Sequence, residues 1–137
     1  MSNTLKNQNC ESRIDSALAG RLSDLHTLWE RYRNGKEQDD DFGTLADYGL
    51  CFDYVAPGTF NDQREGYFRY QISWGGPSDE FRFFANPDGS CHRVEYWFMD
   101  WFDGACRVTT GDDEKLLLEM WEWFRETGRT QAALDNA

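Results

Sequence analysis

At 137 residues the chain has room for one core and hardly for two, so it reads as a single domain over 1–137, ordered from about 11 to 128. Its 22 aromatic residues exclude a disordered acidic tail, and no apolar run reaches the roughly 20 residues that a membrane-spanning helix needs. The net charge of −11 excludes a simple double-stranded DNA binder, because an anionic surface repels the phosphate backbone.

The acidity falls in two blocks. Residues 39–63 hold six Asp and no base, and residues 95–137 hold ten acids against four bases. The polar start, residues 2–7, has no signal-peptide apolar region, so a cytoplasmic location is expected, with no membrane attachment. Cys10, Cys51, Cys91 and Cys106 form no Cys-x-x-Cys, and neighbours Cys91 and His92 would point to opposite faces of a strand. They read as reduced cysteines, with no metal and no cofactor implied.

In chain order, Ser12-Arg13-Ile14-Asp15 has the form of a capping box and opens a helix to about Asn34. Leu18, Leu22, Leu25, Trp29 and Tyr32 form its apolar stripe, and His26 lies off it as a solvated residue. Residues 35–44, with Asp39-Asp40-Asp41, read as a charged linker. From Tyr48 the apolar period changes to two, giving strands around 50–55, 68–74 and 81–84, separated by Gly75-Gly76-Pro77-Ser78 and Pro87-Asp88-Gly89.

The fourth strand, 94–103, is apolar on both parities and forms the spine of the sheet. A fifth strand is possible at 106–109 after a turn at Asp103-Gly104. Thr110-Gly111-Asp112-Asp113 opens a second helix with Leu117, Met120, Trp121 and Phe124 on its stripe, widened by Leu116 and Trp123 and closed by Gly128. Residues 129–137 are expected to fray.

The expected architecture is α+β: a four- or five-stranded antiparallel meander with an N-terminal and a C-terminal helix packed on one face. The covered face should hold Leu50, Phe52, Tyr54, Phe68, Tyr70, Ile72, Trp74, Phe81, Phe83, Val94, Tyr96 and Phe98. The other parity collects charged residues of both signs, which suits a water-facing ladder of cross-strand pairs.

Phosphate-cradling glycine loops and nucleophile elbows are absent, and two histidines offer little for acid–base chemistry, so no catalytic residue is assigned and no enzyme is expected. Two binding surfaces remain. One is carboxylate-rich: Glu119, Glu122 and Glu126 along one face of the last helix, Asp112 and Asp113 at its start, and Asp100 and Asp103 with Trp97 and Trp101 near the spine. Such spacing suits a protein partner that has a basic nucleic-acid-binding surface. The alternative is Arg69, Arg82, Arg93 and Phe84 on the open sheet face, a platform for RNA or a small ligand. A monomer or a homodimer is compatible with either.

The runs Asp47-Tyr48-Gly49-Leu50, Gln71-Ile72-Ser73-Trp74-Gly75-Gly76-Pro77-Ser78-Asp79-Glu80-Phe81-Arg82 and Glu95-Tyr96-Trp97-Phe98-Met99-Asp100-Trp101-Phe102-Asp103-Gly104 resemble those of small acidic proteins encoded on proteobacterial plasmids and integrative conjugative elements. The resemblance covers residues 11–128 and brings no catalytic motif. It implies a mobile-element setting, in which small acidic proteins disarm host defences as antirestriction and anti-CRISPR proteins do.

Overall fold

The computed structural model describes residues 9–36 and 43–137. The Asp39-Asp40-Asp41 run therefore lies outside the described residues. Helix α1 spans Cys10–Arg33, one turn earlier than the capping box implied. Its cap is Asn9, whose side chain accepts the Ser12 N–H at 3.0 Å, while the Ser12 hydroxyl donates back to the Asn9 carbonyl. The extra turn buries Cys10, and Ile14 and Leu28 join Leu22 and Leu25 in the core.

A short helix, α2 (Leu45–Tyr48), follows directly on the expected linker, with Leu45 buried. Strands β1 (Cys51–Val55), β2 (Tyr67–Ser73), β3 (Ser78–Ala85), β4 (Cys91–Asp100) and β5 (Asp103–Val108) follow. They form a five-stranded antiparallel sheet in the order β1-β2-β3-β4-β5. The expected spine, β4, is paired on both sides, but the middle strand is β3.

Helix α3 (Gly111–Glu126) and α4 (Arg129–Asp135) complete the chain. The expected stripe of α3 is buried in full, including Leu116 and Trp123. The tail does not fray. Gly128 adopts φ 79, the left-handed turn that redirects the chain, and α4 then packs on β1 with Ala133 buried.

The α+β layout is as the periodicities indicated, with α1 and α3 against one sheet face. On that face Trp121 stacks on Phe83 at 5.5 Å and meets Phe68 edge-on at 5.0 Å, while Phe124 stacks on Phe52 at 4.3 Å. Burying an aromatic side chain in this way contributes roughly 1.5–3 kcal/mol each.

Two residues assigned to the covered face are not covered. Leu50 precedes β1 and is exposed, and Trp74 is 66 % exposed. The reason for Trp74 is a bulge: Gln71 pairs with Glu80, but Ser73 pairs with Asp79, so one extra residue sits in β2 and the alternation reverses beyond it. The Gln71 amide braces the bulge by donating to the carbonyls of Ser73 (2.7 Å) and Asp79 (3.1 Å).

Below the bulge lies Asp79, a buried carboxylate that hydrophobic patterning does not flag. Arg21 of α1 grips it through two nitrogens at 2.7 and 3.1 Å, Tyr96 donates its hydroxyl at 2.6 Å, and Ser73 supplies another hydroxyl. Burial, with the hydrogen bond to Asp79 next in weight, pushes the Tyr96 phenol far above its ordinary value, so it stays protonated and remains a donor. No described helix is long and apolar enough to cross a membrane.

Candidate functional site

The sheet face opposite the helices collects the expected Asp53, Arg69, Arg82, Arg93, Glu95 and Trp97, but it is not an open, solvated ladder. Tyr67, Gln71, Glu80 and Phe84 on this side are buried. The long β1–β2 connection lies beside it, and residues 60–65 form one wall of a cleft of about 410 Å³. This connection is self-braced. The Gln63 amide donates to the Ala56 and Glu65 carbonyls at 3.0 and 2.8 Å and accepts the Phe60 N–H at 3.0 Å.

Every arginine on this face has a carboxylate. Arg69 holds Asp53 through two nitrogens at 3.0 and 2.7 Å, Arg82 meets Glu80 at 2.7 Å, and Arg93 bridges Glu95 and Glu65 at 2.9 Å each. The guanidinium of Arg82 sits 3.9 Å from the Trp97 ring centroid and 4.5 Å from that of Tyr67, and Arg93 lies 3.9 Å over Phe84. The Trp97 indole N–H is fixed by Glu95 at 2.9 Å. Aromatic faces already covered by guanidinium groups are poorly placed to stack RNA bases.

A second feature lies at one end of the sheet. Asp100 pairs with Asp103, leaving a two-residue turn made of Trp101 and Phe102, which are 91 % and 106 % exposed. The expected turn at Asp103-Gly104 is instead the start of β5. Gly104 faces Met99 across the ladder, where an added Cβ would stand 3.4 Å from the Met99 side chain, an ordinary contact. The positive φ that a tight hairpin needs falls on Trp101, at 57°. Trp74 is at the same end, because β3 begins at Ser78 opposite Met99.

The expected acidic residues at this end are anchors for α1. Asp103 accepts the Cys10 N–H at 2.8 Å, and Asp100 pairs with Arg13 at 2.7 Å. Donation by the Cys10 amide is the main reason the Asp103 carboxyl is held below its usual range. The Cys10 thiol is pushed up, first by burial and then by Asp103. Arg107 of β5 adds Glu11 at 2.7 Å and Asp15 at 2.9 Å.

The carboxylates of α3 stand elsewhere, since the six residues of β5 at ~3.4 Å each separate the hairpin turn from the start of that helix by about 20 Å. They are partly committed. Glu119 accepts the Trp29 indole N–H at 2.9 Å, Asp113 lies 3.4 Å from His26, and Glu122 pairs with Arg125. Asp112 and Glu119 border a groove between α1 and α3 together with Arg33 and Lys115, so its charge is mixed. Glu126 is exposed. The expected carboxylate surface is thus two patches, with Trp97 on neither.

Tyr67 was missed by the sequence reading. It shares the parity of Arg69 and Gln71, which is the signal available, but it lies one residue before the alternating run at 68–74. Compared with protein-family models, curated proteins and solved structures, the chain finds no match.

Proposed function

We propose that this is a non-enzymatic binding protein that docks the aromatic end of its sheet onto the basic surface of a nucleic-acid-handling protein. The observation that carries the reading is the turn itself: two large aromatic residues are held almost wholly in water. One of them occupies a backbone conformation that costs about 1–3 kcal/mol. Internal packing gives no return on either expense, whereas a partner surface does, since buried aromatic anchors dominate binding energy at interfaces.

Charge selects the partner. A protein at −11 is steered toward a positive surface, and the exposed carboxylates of α3 act in steering while Trp101, Phe102 and Trp74 act as anchors. Nucleic-acid-handling proteins offer such surfaces. The resemblance to mobile-element proteins favours a host defence complex of antirestriction or anti-CRISPR type, inhibited by occupation of that site.

The experiment compares the wild-type chain with a Trp101→Ala/Phe102→Ala variant as bait in a host lysate. The wild type is expected to retain a stoichiometric nuclease or effector that added nucleic acid displaces, and the folded variant to lose it. Equal recovery by both baits, or a captured protein indifferent to nucleic acid, overturns the proposal.

A further inference from the structure

A cleft of about 140 Å³ lies where α2 and the start of β1 meet α3 and α4. Its lining is mostly apolar, with Leu45, Leu50 and Phe52 from the first pair of elements and their connection and Trp123 and Phe124 from α3. Arg129 is the one charged residue in that lining. In a protein of net charge −11, this cleft thus carries a cation and no carboxylate.

Two side chains of the lining have donors to spare. Arg129 is half-buried, makes no ion pair among the described residues, and lies with its guanidinium 4.3 Å from the Trp123 ring centroid. Its one hydrogen bond runs from Nη1 to the Thr127 hydroxyl at 2.7 Å, which leaves Nε and Nη2, a pair suited to the two oxygens of one carboxylate, without an acceptor. Tyr70 is 4 % exposed and meets Phe124 edge-on at 5.1 Å, yet its hydroxyl donates to no described residue. The Tyr67 hydroxyl is unpartnered too, but it is sealed within the protein, whereas that of Tyr70 is not cut off from the cleft it lines. Burial, and then Tyr48, push the Tyr70 phenol above its ordinary value against the opposing pull of Arg129 and the Gly49 amide, so it keeps its proton at neutral pH with both groups close by. The Gly49 backbone closes on the same ring, where an added Cβ would strike it.

We infer that this cleft binds a short-chain monocarboxylate, its oxygens accepting from Arg129 and the Tyr70 hydroxyl and its apolar tail lying against Leu45 and Trp123. Size sets the length of the chain: the cleft is well below the roughly 300 Å³ at which drug-sized sites begin, so it suits a ligand of a few carbons. Charge sets the headgroup. One guanidinium balances one negative charge, whereas the second charge of a phosphate would stand against apolar walls with no cation. The inference is independent of the docking role given to the hairpin turn, since β1 and β5 are opposite edges of the sheet.

The test titrates butyrate into the full chain at constant ionic strength while following the Trp123 indole N–H resonance, with butyramide and inorganic phosphate in separate titrations. Butyrate is expected to shift the resonance saturably and the other two to do so more weakly. Tyr70→Phe keeps the ring on Phe124 and removes only the hydroxyl, so its thermal midpoint should hold while butyrate affinity falls about tenfold. Arg129→Gln should abolish saturation, and Arg129→Lys, which keeps the charge without the planar fork, should fall between it and the wild type. No saturable shift with butyrate, equal binding of butyramide, tighter binding of phosphate, or an unchanged affinity in Tyr70→Phe overturns the assignment.

Discussion

The two faces of the sheet use the same kind of residue to opposite ends. On the helix-covered face, Phe83, Trp121 and Phe124 are held by one another, and no charge is needed until Asp79 at the edge of the layer. On the other face, Tyr67, Phe84 and Trp97 are held by arginines, each of which needs a carboxylate in turn. A ring packed on rings is stable in any ionic state of the protein. A ring packed under a guanidinium depends on an ion pair, and so this face answers to charge as well as to volume.

Neighbouring residues of β3 sharpen that contrast. Phe83→Ala should cost about 3–5 kcal/mol in urea denaturation, the cavity cost of a fully buried aromatic residue, with little dependence on salt. Arg82→Ala, one position earlier and on the other face, should cost about 3 kcal/mol because it leaves Glu80 buried without its cation. An apolar Glu80→Leu/Arg82→Met pair should recover most of that loss, since exchanging a whole buried ion pair is far cheaper than breaking one. If Arg82→Ala were harmless, the second face would be the solvated ladder after all.

The hairpin turn belongs to neither face and should behave unlike both. Trp101→Gly is expected to raise stability by about 1 kcal/mol by placing a residue without Cβ at φ 57, while removing partner capture. A loss of stability would show that the indole packs within the fold. The smallest effect is a pH dependence at the same end. Because the Asp103 carboxyl is depressed in the folded state, its contribution is complete above the ordinary value of 3.8 and is lost as pH falls through the folded value. Asp103→Asn should flatten that acid limb in a thermal-melt series.

How much was legible follows the same division. The covered face could be read from period-two alternation because apolar burial leaves a mark at every second residue, from Phe68 through Phe98. Trp74 broke the reading, since a bulge shifts parity without any compositional signal that patterning detects. Burial of Glu80 and Gln71 was invisible for another reason: polar and charged residues read as exposed until the distant residues that cover and pair with them are placed. Tyr67, Asp79 and the turn at Trp101 were missed likewise, because an orphan hydroxyl, a buried carboxylate and a positive φ on tryptophan each run against residue preference. The acids of the last helix were found as a stripe, but their commitments to Trp29, His26 and Arg125 depend partly on where α1 lies.

The clamp between α1 and the hairpin also sets an order of events during synthesis. Strands in a meander meet their neighbours soon after they emerge, so the sheet can grow hairpin by hairpin. Helix α1 cannot join on that schedule. Its first turn is fixed by Asp100 and Asp103, 87 and 93 residues downstream of Arg13 and Cys10. At roughly 5–20 residues per second, a ribosome takes several seconds to supply them. Through that interval α1, made before the sheet, waits with Ile14, Leu22 and Leu25 uncovered, and it is among the last to close, when the aromatic turn reaches the folding chain.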